Sequence, residues 1–146
     1  MSHVRSTLLA AVKTTLAANS AIGKVYAQRA APTFQLWPAV CVYAESEAIE
    51  ALGMAYPRQQ LRELTLSCKG YVRPGQDEEA AESALDTLAV EIEDTLKASS
   101  LTGEKDLTLA GTDWGQEEIG ELLLLTVTLT YRIRYTTTEY LPETAT

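Results

Sequence analysis

Asp113, Glu117, Glu118 and Glu121 lie within one short stretch and form the chain's densest set of potential oxygen ligands. Carboxylates at short spacing can hold a hard cation, although this spacing matches no EF-hand loop. The other two readings are a solvated acidic loop and a contact with a basic partner surface. His3 is the sole histidine, so an imidazole acting as base or ligand has no second imidazole to work with. Cys41 and Cys68 fit no metal-binding spacing. Both sit in apolar, strand-like stretches, which suits buried reduced thiols. The alternative is a disulfide between neighbouring strands. There is no Gly-rich phosphate loop, and no serine stands in a nucleophile elbow. The residue types that do chemistry are therefore present without the spacing that chemistry needs. We expect no enzymatic activity, no metal and no cofactor.

The distribution of charge is more informative. Up to residue 44 the chain holds Arg5, Lys13, Lys24 and Arg29 and no acid. Between residues 74 and 121 there are many acids, opposed by only Lys97 and Lys105. The total of −8 opposes general binding to nucleic acid or to an anionic membrane. It also suits a surface past which DNA must slide. A chain with a basic end and an acidic end can bind copies of itself head to tail, and such contacts close into rings when the rotation permits.

A chain of 146 residues is one domain of ordinary size. Lys13 and Thr14-Thr15 interrupt the first apolar stretch too early for a secretory signal, and Leu122–Leu125 is too short to span a bilayer. The expectation is synthesis in the cytoplasm.

Hydrophobic spacing locates the elements that would carry these residues. Val4, Leu8, Val12 and Leu16 make one stripe of a helix over Val4–Ala18. Ala81, Leu85, Leu88, Ile92 and Leu96 do the same over Asp77–Ala98, with Asp77, Glu78 and Glu79 favourably placed at its N-terminal end. Short strands are expected at Lys24–Ala27, at Ala39–Ala44 after Pro38, and at Leu107–Ala110. Long strands are expected at Arg58–Val72 and Leu122–Thr136, where apolar and polar residues alternate. Glu45–Pro57 reads as a long loop, Gly111–Gly120 as a turn region, and Thr137–Thr146 as a flexible tail. The order α-β-β-β-α-β-β implies an α+β domain over residues 1–136, with a mixed, mainly antiparallel sheet of about four to five strands flanked by two helices.

Candidate contact residues follow from this layout. Glu78, Glu79, Glu82, Asp86, Glu91, Glu93 and Asp94 of the acidic helix form either its solvated face or a docking or DNA-repelling face, and the first four are the contact candidates. They join Asp113, Glu117 and Glu118 as candidates for an inter-subunit or lumen surface. Arg5, Arg29, Arg58, Arg62, Arg132 and Arg134 are the basic candidates. Trp37 and Trp114, beside turns, are either lids on the core or interface anchors.

Several phrases carry a family resemblance: GKVYAQRAAP, LWPAVCVYAESE, YPRQQLRELTLSCKGYV, ALDTLAVEIEDTL and LLLLTVTLTYRIRYTT. In their order, over residues 4–136, the chain resembles the tail terminator proteins of long-tailed bacteriophages, similar to the minor tail protein U family of lambda-like phages. The resemblance implies a ring, expected to be a hexamer, that caps the tail tube and stops its polymerisation. The ring would meet a head-completion or neck protein on its other face, and DNA would pass through the lumen as non-specific cargo. It implies a virion location at the head-proximal end of the tail, after assembly in the host cytoplasm. It implies no catalytic residues and no membrane. A head–tail connector or tail-completion adaptor is the alternative within virion assembly, and a non-viral soluble binding module the alternative outside it.

Overall fold

The computed structural model describes residues 4–20, 22, 24–27, 38–53, 58–73, 78–97, 107–119, 122–138 and 141–145. Among these are two helices, α1 (Val4–Ala17) and α2 (Glu78–Lys97), and six strands. The strands are β1 (Lys24–Tyr26), β2 (Ala39–Leu52), β3 (Gln59–Val72), β4 (Leu107–Ile119), β5 (Leu122–Thr138) and β6 (Leu141–Ala145). They form one sheet in the order β1-β2-β3-β5-β4, with β6 pairing β5. Only β1 and β2 run parallel; the other pairs are antiparallel. The fold is α+β with a mixed, mainly antiparallel sheet, as the patterning implies.

Alternation explains why β3 and β5 are central. Leu64, Leu66 and Cys68 of β3 share a face with Val127, Leu129, Tyr131, Ile133 and Tyr135 of β5, and all are buried. Both helices cover that face. The apolar stripe of α2 (Ala81, Leu85, Leu88, Ile92, Leu96) packs into this core. Complete burial of a large aliphatic side chain contributes about 1.5–3 kcal/mol, so the four large members hold α2 down more firmly than helix propensity could. Gly70 makes the approach possible, since a Cβ there would stand 2.6 Å from Leu88 Cδ2. The stripe of α1 (Val4, Leu8, Val12, Leu16) is equally buried, and α1 rests on β1, β2, β6 and the flank of α2. Asn19, just past α1, donates from Nδ2 to Glu91 Oε2 (2.9 Å) and Thr95 Oγ1 (2.8 Å), tying the two helices together.

Three expectations are corrected. The stretch from Glu45 is not a loop: β2 continues to Leu52, paired residue by residue with β3. A bulge between Ala44 and Ser46 interrupts its alternation, which hides the strand from a period-two reading. Nor are residues 111–119 a turn region. β4 runs through them to Ile119 along β5, again across a bulge, between Leu109 and Gly111. Nor is the tail after Thr136 without structure. β5 extends to Thr138, Thr137 is fully buried, and β6 pairs with β5.

Candidate assembly surfaces

The face of the sheet away from the helices is polar, with a small satellite cluster. Cys41, Tyr71 and Leu124 are buried there beside Tyr26 and Tyr43. Lys69 spans to Glu117 across the sheet and lies 5.4 Å from the centre of the Tyr71 ring, while the Tyr71 hydroxyl donates to Glu117 (3.4 Å). Further along, Glu63 receives Arg134 Nε at 3.0 Å and lies 3.8 Å from Arg132 Nε. Arg132 and Arg134 therefore stand two apart on the polar face as expected, but Glu63 partly neutralises them within the chain.

Glu117, like Asp113, points to this open face, because their β5 partners are Leu124 and Thr128. Glu118 points to the helix side, opposite Leu123. Asp113, Glu117 and Glu118, which looked like one cluster, are thus divided between two faces of a strand, and Glu121 lies outside the described residues. Among the described residues no group of three or more acids, cysteines or histidines is arranged to hold a metal ion. No described helix is long and apolar enough to cross a membrane.

Arg62 departs most from its expected role. It is buried at 8 % exposure on the helix side, in step with Leu64 and Leu66. Its Nη1 donates to Glu47 Oε1 at 2.7 Å, its Nε to Thr137 Oγ1 at 2.9 Å and its Nη2 to Gln60 Oε1 at 3.2 Å. The Tyr135 hydroxyl also donates to Glu47, and Arg5 of α1 lies 4.0 Å from the same carboxylate. Burial first, then the hydrogen bond to Glu47, raises the Tyr135 phenol well above its ordinary range. Glu47 reaches this side because the bulge inverts the alternation of β2. Arg62 and Arg5 therefore serve an internal polar network. For Arg62 the sequence did hold a signal: strand alternation back from Leu64 puts residue 62 on the covered face.

The two cysteines cannot bridge. Cys41 pairs opposite Lys69 and Cys68 opposite Val42, so their side chains project from opposite faces of the sheet. Both are free and buried. Burial pushes the Cys41 thiol up to about 11 and the Cys68 thiol up to about 12, which leaves two unreactive thiols.

Arg58 is exposed just ahead of β3. Glu79, Glu82 and Asp86 are exposed on α2, and Glu78 opens that helix. Arg29 and Trp37 lie outside the described residues. Trp114 is neither a lid nor near a turn. It sits in the middle of β4, 61 % exposed, on the helix side opposite Val127. There α2 covers β3 and β5 but stops short of β4. Two cavities, of about 270 and 480 Å³, mark the resulting trough. One lies where Glu93 and Leu96 face Leu109; the other lies where Glu79 and Glu82 face Gln116. At the opposite edge of the sheet, Lys13 on α1 and Lys24 on β1 are exposed.

No protein-family model and no curated protein matches the chain. Among solved structures, the chain is similar to one from the virion of a native gene transfer agent particle, at 16 % sequence identity and a TM-score of 0.43, covering 89 % of this chain and 95 % of that chain.

Proposed function

We propose that this chain is a non-enzymatic virion protein that assembles into a ring, caps the tail tube of a long-tailed bacteriophage and offers its other face to the neck. The observation that carries the reading is the placement of charge. Lys24 stands on β1, the edge strand, and Lys13 is exposed on the helix that packs against it, whereas the acids of α2 lie on the helix that covers β3 and β5, towards β4. Complementary surfaces on opposite edges favour heterologous contacts, which generate closed rings or open filaments. The tail-specific part rests on the sequence resemblance over residues 4–136. Excess negative charge suits a lumen through which DNA slides without adhering.

The test is the mass of the protein in solution by light scattering, followed by its addition to growing tail tubes. Discrete rings of about six subunits, or a monomer that caps tubes and limits their length, support the reading. Binding to portal complexes but not to tube ends would favour the connector alternative. A monomer that binds neither would favour a non-viral binding module.

A further inference from the structure

We infer that the trough between α2 and β4 is a socket for the α1–β1 edge of a second copy of this chain. This deepens the ring reading and rests on it. The floor of the trough holds three large apolar residues among Thr112, Gln116 and Glu118. Leu109, Trp114 and Leu123 are 40 %, 61 % and 45 % exposed, and all three point to the helix side of the sheet, since they pair opposite Tyr131, Val127 and Glu118. They account for half of the chain's large exposed apolar residues among those described. An uncovered apolar strip of this kind marks a contact surface, and a well-exposed tryptophan is a common anchor of one.

The wall of the trough is acidic. Glu82, Asp86 and Glu93 recur along one flank of α2 at helical spacing, and Glu82 and Glu93 line the two cavities. Lys97 is the single base on this flank, at the far end. An occupant must therefore bring apolar or small residues flanked by positive charge. The opposite edge of the same molecule fits that description. The exposed face of α1 carries Ser6, Ala10, Lys13, Thr14 and Ala17, and Lys24 is exposed on β1, the terminal strand of the sheet. No acid occurs in that part of the chain up to residue 44, so nothing there repels the wall. Because socket and plug lie at opposite ends of the strand order, one copy can use both at once, as a head-to-tail ring requires.

The test uses the full-length protein and two charge reversals, Lys13→Glu/Lys24→Glu on the plug and Glu82→Lys/Asp86→Lys on the socket. All four side chains are exposed, and circular dichroism should match the unaltered chain. Each reversal alone is expected to weaken self-association about tenfold or more, because like charges then meet. Mixing the two variants, or combining all four substitutions in one chain, is expected to restore association, since the charges again complement. Emission from Trp114, read in a Trp37→Phe variant where it is the sole tryptophan, is expected to shift to the blue on association. If the unaltered chain associates but the reversals do not weaken it, or the emission does not move, the socket is wrong and the ring reading stands. If the unaltered chain stays monomeric at every concentration and on tail tubes, both are overturned.

Discussion

Replacing Arg62 by leucine removes the cation from the network that holds β2, β3 and β5 together on the helix side. The side chains of Arg62 and Glu47 are 10 % and 6 % exposed, so water can do little for the carboxylate left behind. Removing one partner of such a buried pair costs about 3–5 kcal/mol. Two groups limit the loss: the Tyr135 hydroxyl still donates to Glu47, and Arg5 lies 4.0 Å away. Arg5 is 43 % exposed and hence screened, so it offsets less than about 1 kcal/mol. Thr137 loses its donor as well. The balance is about 3 kcal/mol. Urea unfolding should read this as a fall in midpoint of about 1–2 M, measured at a concentration where the protein is monomeric, because assembly would add its own stability. The double variant Arg62→Leu/Glu47→Gln should recover at least half of the loss, since glutamine leaves no buried charge and still accepts from Tyr135. A loss below about 1 kcal/mol for the single variant, or no recovery in the double, would refute the idea that the network is buried and mutually dependent.

Three further outcomes follow from the packing. Gly70→Ala should destabilise by about 1–3 kcal/mol, because its Cβ would meet Leu88 Cδ2 at 2.6 Å and Val127 Cγ1 at 3.3 Å; adding Leu88→Ala should then cost less than it does alone, which a double-mutant cycle in urea would read. Truncation after Thr138 should be milder than truncation after Thr136, because only the latter takes the Thr137 hydroxyl from Arg62, at about 1–3 kcal/mol; thermal melts that coincide would restore the flexible-tail reading. The two thiols should be inert to a disulfide reagent in the native protein at mild pH and react after denaturation. Their folded pKa values, about 11 and 12, stand above the ordinary 9.0, so their contribution to stability is complete below pH 9. It is lost as the pH rises from 9 towards the folded values; a urea midpoint that rises above pH 9 would contradict this.

Much of the fold was legible wherever one periodicity ran unbroken. The stripes of α1 and α2 and the alternation of β3 and β5 name almost every buried apolar residue of those elements, because burial of one face is what selects such patterns. Legibility failed at the two bulges. Past Ala44 and past Leu109 each strand changes phase, so no single alternation covers β2 or β4. The glycines and acids of β4 further resemble a turn in composition. Pairing to β5 overrides that local preference, since neighbours rather than intrinsic propensity decide a strand. The tail was missed for the same reason: β6 exists only because the end of β5 is there to pair with.

The amino-acid sequence alone therefore determined the α+β class, the two core-facing helices and the opposition of a basic stretch to an acidic one. These are local or summed properties of the chain. Tertiary structure alone decided which charges meet. It drew Arg62 inward to Glu47, set Glu63 beside Arg132 and Arg134, divided Asp113 and Glu117 from Glu118, and left Trp114 uncovered beside α2. Each of those outcomes depends on strand register and on where a bulge inverts the alternation, and register is a relation between distant segments that no single segment encodes.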